Sequence, residues 1–171
     1  MKTAQHFGLI FLMMAAVQII ICNCFHLSAY VSLSVLPAMV LFIPLNIGTV
    51  LSMLIAFGTG LAVDALGEGL IGLNALALVP VALLRIPVTR LVFGEDVIER
   101  QEDISFRKFG AGKIATAILI MQALFLAVYI IADGAGTRPF WFNAARFAAS
   151  LASGCILSMI AASVLLPDTK K

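Results

Sequence analysis

Charged side chains are scarce in this chain of 171 residues, at 12% of positions against roughly 25% in soluble globular domains. So little charge excludes an ordinary soluble fold, which needs a polar surface. Hydrophobic residues make up 62%, against roughly 45–50% in soluble proteins, and the mean hydropathy is +1.09. The composition therefore predicts an integral membrane protein.

The chain also has few residues that bind metals or act in catalysis. Its two histidines are isolated, and its three cysteines form neither a CxxC motif nor a metal set with them. The catalytic and nucleotide-binding motifs GxSxG, HExxH and Walker A do not occur. The net charge of +2 includes no basic run interleaved with aromatics, which argues against nucleic acid. We therefore expect no cofactor, no metal and no enzymatic activity.

Six segments are apolar over about the 20 residues that a spanning helix needs. They cover about 7–25, 28–45, 48–66, 70–93, 113–132 and 141–166. Backbone groups in lipid must be satisfied within the segment, so these runs predict helices. The predicted fold is all-α: one polytopic transmembrane helix bundle over residues 1–171, with a loop at 94–112.

Two details of this layout stay open. Residues 23–30 are only weakly polar, so five spans or a re-entrant second segment are alternatives to six. The fourth segment contains Pro80 and Pro87, so it could split near Ile86 and leave Arg85 and Arg90 on its wet side. The apolar N-terminal stretch has no small-x-small cleavage site, and we expect an uncleaved first span.

Lysine and arginine favour the cytoplasmic side of short loops. With six spans, one side carries nine of the eleven basic residues, and only Arg138 and Arg146 fall on the other. This asymmetry predicts that both termini are cytoplasmic. Asp64 and Arg146 then lie near the outer rim, where water reaches the carboxylate and the arginine can snorkel.

A polar pair brackets the turn between the third and fourth segments. Asp64 and Asn74 lie on consecutive antiparallel helices at similar depth, so we expect a hydrogen bond between them. Gly60 leaves room for close approach of the two helices, and Gly72 belongs to the turn. An ionisable residue within an apolar run is a candidate ion or substrate site. The better interpretation here is a structural clamp.

Two other features are candidate contact surfaces. The sixth segment places Ser150, Gly154 and Ser158 four residues apart, which is the spacing of small residues at close helix contacts. The row could pack within the chain or against a partner. Loop 94–112 is acidic and then basic, with apolar residues between. It could form an amphipathic helix at the membrane surface and dock a partner, or be a solvated connector.

The hairpin resembles the MreD family of rod-shape-determining membrane proteins. The residues that carry the resemblance are Gly60-Leu-Ala-Val-Asp64, the turn, and Gly72-Leu-Asn-Ala-Leu76, preceded by a segment with Pro37 and Pro44. The resemblance implies a non-catalytic scaffold of the cell-elongation and peptidoglycan synthesis machinery in the bacterial inner membrane. Its implied partners are an MreC-like bitopic protein, the MreB filament, RodA and a class B penicillin-binding protein.

A transporter component is the rival class. Substrate-binding membrane subunits of energy-coupling-factor vitamin transporters have similar length and hydropathy, and Asp64 with Asn74 could line an outward-facing pocket. Such subunits usually carry a small-xxx-small face in the first span. The first span here, Leu12-Met-Met-Ala-Ala-Val-Gln18, has no clean version of it.

Overall fold

A computed structural model describes residues 2–24, 32–68, 71–100, 104–134 and 139–166. All regular secondary structure in these ranges is helical. Four helices are long and apolar enough to cross a membrane, and Gly8–Asn23 is a shorter apolar helix. The predicted all-α, multi-pass membrane bundle is confirmed. The elements are α1 (Lys2–Cys24), α2 (Leu36–Leu41), α3 (Thr49–Val63), a π-helical turn (Asp64–Glu68), α4 (Leu73–Phe93), α5 (Glu95–Glu99), α6 (Phe106–Gly134) and α7 (Phe140–Leu165).

The predicted second spanning helix, 28–45, is wrong in the part that the structure describes, and its residues 28–31 lie outside that part. Residues 32–35 have no regular structure, and α2 has only six residues, about 9 Å at 1.5 Å per residue. Pro37 lies in the first turn of α2, where a proline is tolerated. Pro44 follows its end, where a proline prevents the helix from continuing.

Residues 32–48, which we call the irregular segment, nevertheless connect the two ends of the bundle. At one end, which we call the Asp64 end, Asn23 of α1 donates to the Leu66 carbonyl at 3.0 Å, and the Ser32 amide donates to Ser150 Oγ at 2.9 Å. Further along the segment, the carbonyls of Ile43 and Ile47 accept from Arg85, which lies in the second half of α4. Residues 34–43 are all buried. Non-helical backbone is tolerated at membrane depth when protein surrounds it.

Helix α4 runs without interruption through Pro80 and Pro87 to Phe93. The alternative in which this segment splits near Ile86 is therefore wrong. Arg85 is fully buried rather than on a wet side, whereas Arg90 is exposed. Membrane helices accommodate proline because neighbouring groups satisfy the freed carbonyls. The helix ends where Gly94 adopts φ 98°.

The predicted loop 94–112 is largely structured, although residues 101–103 lie outside the described chain. It holds the five-residue α5 and the beginning of α6, which is kinked at Gly110 (φ 76°). Val97 and Ile104 are buried, and the Phe109 ring meets Phe93 edge-on with centroids 5.1 Å apart. The apolar residues of this stretch therefore pack against the bundle.

Candidate functional site

The side chain of Asp64 holds the first turn of the next helix. Its Oδ1 accepts from the Asn74 backbone amide at 3.0 Å and from Asn74 Nδ2 at 2.8 Å. Its Oδ2 accepts from the amides of Gly72 at 2.9 Å and Ala75 at 3.3 Å. We call this arrangement the Asp64 clamp. The predicted hydrogen bond between Asp64 and Asn74 is confirmed, and three backbone bonds accompany it.

The clamp replaces the cap that α4 lacks from its own sequence. The first amides of a helix have no intrahelical acceptor, and their partial positive charge favours an anion. Gly72 is the residue before α4, with φ 102° and no capping side chain. Asp64 reaches across from the end of α3 and supplies both the acceptors and the negative charge. Capping motifs in a sequence involve residues within a few positions of the helix start, so they do not reveal a cap from Asp64, eight residues before Gly72.

Asp64 is fully buried, which corrects the expectation that water reaches it at the rim. The reason is the close approach of α3 to α4. A β-carbon on Gly60 would lie 2.5 Å from the α-carbon of Ala75 and 2.6 Å from its nitrogen. With the backbones in contact, the short Asp64 side chain can span the gap. Gly60, Asp64, Gly72 and Asn74 therefore form one structural unit.

A second polar cluster joins α6, α7 and the irregular segment at the Asp64 end. Arg146 Nη1 is paired with Asp133, and Nη2 donates to Ser32 Oγ at 3.0 Å. The guanidinium also lies 5.8 Å from the centroid of the Tyr129 ring. The side chains of Arg146 and Asp133 are only 10% and 13% exposed. Arg146 is therefore buried in an ion pair. The expectation that it snorkels to the outer interface is wrong.

The backbone of the irregular segment is held by amide side chains from two helices. Gln18 of α1 accepts from the Val35 amide at 2.9 Å and donates to the Leu33 carbonyl at 3.0 Å. Gln122 of α6 donates to the Ser34 carbonyl at 3.3 Å. These contacts replace the bonds that a helix would have supplied. Gln18 and Gln122 are isolated polar residues in apolar runs, which is the sequence signal for such a role.

The small-residue row of α7 faces inward. Ser150, Gly154 and Ser158 are all buried. Ser150 binds the irregular segment, and a β-carbon on Gly154 would overlap the Gln122 amide. Of the two interpretations left open by the sequence, packing within the chain is the one observed.

Among the residues that the structure describes, Arg85 has the largest fully buried side chain. Its Nη1 donates to the Ile43 carbonyl, and its Nη2 donates to the Ile47 carbonyl at 3.1 Å. Arginine thus fixes the turn that follows α2 by satisfying two carbonyls there. Only the alternative with a split fourth segment placed Arg85 on a wet side. The sequence does not show in which direction an unbroken α4 presents it.

The described residues contain no group of three or more His, Cys, Asp or Glu side chains that could hold a metal ion. The polar atoms of the Asp64 clamp and of the Gln18 and Gln122 contacts bind mainly the chain's own backbone. These contacts hold the helices and the irregular segment in fixed positions within the apolar bundle. No protein-family model, curated protein or solved structure matches this chain.

Proposed function

We propose that this protein is a non-catalytic, MreD-like scaffold of the bacterial cell-elongation machinery. It would lie in the inner membrane with both termini in the cytoplasm. There it would hold an MreC-like bitopic protein and link it to the MreB filament, RodA and a class B penicillin-binding protein. The observation that carries the proposal is the Asp64 clamp.

The clamp supports a scaffold because of how its polar atoms are used. The residues of the resemblance, Gly60, Asp64, Gly72 and Asn74, form one unit in which Asp64 accepts four hydrogen bonds. Hydrogen bonds to an ionised acceptor are roughly twice as strong as neutral ones. A rigid hairpin of this kind suits a protein whose task is to present helices and a turn at fixed positions.

The same geometry weighs against the transporter alternative. A ligand pocket needs polar groups that point into it and remain free to bind. Asp64 directs both oxygens at α4, and Asn74 directs its amide nitrogen at Asp64. The substrate-binding role in an energy-coupling-factor transporter would therefore need other residues.

Co-purification after mild detergent extraction tests the proposal. The tagged chain, expressed in its own host, should recover a single-span MreC-like protein, identified by mass spectrometry, and its depletion should round the cells. Recovery of an ATPase with a membrane coupling subunit, or of a vitamin-sized ligand in native mass spectrometry, would instead establish the transporter role.

A matched pair of variants distinguishes specific capture from background. Gly60→Ala separates α3 from α4 at the clamp, whereas Gly58→Ala adds a methyl group that meets nothing within 4 Å. We expect partner recovery to fall for Gly60→Ala and to be unchanged for Gly58→Ala, with both variants compared at equal amounts of extracted protein. Equal recovery with both variants would show that partner binding does not depend on the close packing of this hairpin.

A further inference from the structure

Helix α4 has an open groove on the surface of its last two turns. The groove has a volume of about 290 Å³ and is lined by Ile86, Pro87, Arg90 and Leu91. Pro87, Arg90 and Leu91 are exposed, so the groove opens to the surroundings of the bundle. Its walls are therefore apolar, with one positive charge among them.

The position of this groove along α4 places it where acyl chains meet phosphate groups. Helix α4 begins at Leu73 beside the Asp64 clamp, and Arg90 lies in its last turn. The rise from position 73 to position 90 is about 26 Å at 1.5 Å per residue, close to the hydrocarbon thickness of about 30 Å. Arg90 therefore lies near the level of the lipid phosphates, and Ile86 lies one turn deeper, beside the acyl chains.

The guanidinium of Arg90 has donors left for a phosphate. Its Nε lies 3.5 Å from Glu95 Oε1, in a pair whose side chains are 58% and 69% exposed. Among the described residues, no hydrogen bond occupies its two Nη groups. A guanidinium binds a phosphate through two parallel N–H donors. Exposed ion pairs are weak, so Glu95 does not prevent that contact.

A second cation lies at the same end of the bundle. Phe93, the last residue of α4, meets the Phe109 ring with centroids 5.1 Å apart. The Lys108 ammonium lies 5.6 Å from the Phe109 centroid, and Lys108 is exposed. Basic residues at a membrane surface attract anionic lipids, so this end of α4 favours an anionic headgroup.

We propose that the groove on α4 binds one acyl chain of an anionic glycerophospholipid, whose phosphate accepts hydrogen bonds from the Nη groups of Arg90. One such molecule supplies both an apolar chain and an anion, in the order along the membrane normal in which Ile86 and Arg90 lie. A groove of this volume does not hold a partner's helix, which is about 10–12 Å across. The inference is independent of the scaffold role, because it depends on α4 and the surrounding lipid.

Native mass spectrometry of the purified chain in detergent, with added phosphatidylglycerol, tests the site. Phosphatidylcholine with the same acyl chains is the matched lipid without net charge. We expect one phosphatidylglycerol to be retained per chain, with an affinity about tenfold or more above that for phosphatidylcholine. This ratio corresponds to the contribution of a hydrogen bond to a charged group.

Three variants identify the residue responsible. Arg90→Gln should remove the preference for phosphatidylglycerol, and it leaves the fold intact because Arg90 is exposed. Glu95→Gln should strengthen binding, since it removes a negative charge beside the phosphate. Arg107→Gln, at an exposed arginine outside the groove, should keep the preference. Equal losses from Arg90→Gln and Arg107→Gln would show a diffuse attraction to basic residues and overturn the proposal.

Two further measurements separate this lipid from other ligands. Glycerol 3-phosphate has the phosphate without the acyl chains and should not displace the lipid. Displacement at comparable concentrations would assign the contact to phosphate alone and refute the role of the groove. A dimer of the chain that Arg90→Gln abolishes would assign the groove to a second copy, and that result would also overturn the proposal.

Discussion

Gly60 lies directly against the backbone of Ala75, and no side chain separates the two helices at this point. A β-carbon on Gly60 would come within 2.5 Å of the Ala75 α-carbon and within 2.9 Å of the Asn74 carbonyl carbon. These atoms are backbone and cannot rotate aside. The contact also places Asp64, one turn further along, beside the first amides of α4.

Gly60→Ala should therefore destabilise the bundle by about 1–3 kcal/mol, the usual cost of overpacking, or more, because α3 and α4 must separate. Gly58→Ala on the same helix is the control. Its new methyl group meets nothing within 4 Å, and alanine is the better helix former by up to about 1 kcal/mol. Thermal unfolding in detergent should order the variants as Gly58→Ala, unmodified chain, Gly60→Ala. A Gly60→Ala protein as stable as the unmodified chain would contradict the close contact.

Asp64→Asn should be tolerated better than Asp64→Leu. The amide keeps one acceptor oxygen for two of the four donors, although its nitrogen faces the other two. Leucine leaves all four donors without this acceptor. Hydrogen bonds to a charged group contribute about 1.5–3 kcal/mol each, so both changes destabilise, and leucine does so more. Chemical denaturation of the two variants side by side measures the difference, and identical midpoints would remove the clamp argument.

Gln18→Leu should destabilise the irregular segment by more than the loss of one hydrogen bond, because this side chain binds two backbone groups. It leaves the Val35 amide and the Leu33 carbonyl without their partner, at about 1–3 kcal/mol for each buried group that stays unsatisfied. Hydrogen exchange at residues 33–36 should speed up before the rest of the bundle is affected. Ser163→Ala, at an exposed hydroxyl in α7, is the control, and a comparable effect there would indicate general loosening.

Arg146→Met should cost up to about 3–5 kcal/mol, because it removes the guanidinium that pairs with the largely buried Asp133 carboxylate. The double variant Arg146→Met with Asp133→Leu should recover most of that loss. Arg90→Met provides the comparison, since the Arg90–Glu95 pair is exposed at both ends (58% and 69%) and such pairs contribute about 0–1 kcal/mol. If the single and double changes at Arg146 have equal effects, the predicted recovery is absent, and the cost of the single change does not come from the Asp133 carboxylate.

Cysteine labelling tests the orientation inferred from the basic residues. In a background without the native cysteines, Ser105→Cys should react with an impermeant maleimide only from the cytoplasmic side. Ile71→Cys, at a turn position that is 77% exposed, should react only from outside. The reverse pattern would invert the orientation and place the Asp64 end in the cytoplasm.

The sequence alone determined that the chain is a helical membrane bundle, and it predicted the Asp64–Asn74 pair. Apolar content over 20 residues measures whether a segment can lie in lipid, and two residues flanking one turn are close whatever else the fold does. These properties are local, so the sequence is enough to predict them.

Only the tertiary structure decided the path of residues 32–48, the burial of Arg85 and Arg146, and the inward direction of Ser150, Gly154 and Ser158. The partners involved are distant in the chain: Ser32 contacts Arg146 across 114 positions, and Arg85 contacts Ile43 across 42. Hydropathy cannot show whether a side chain points to lipid or to protein. A segment that α1, α6 and α7 surround can satisfy its backbone with their side chains, so its apolar sequence does not have to form a helix.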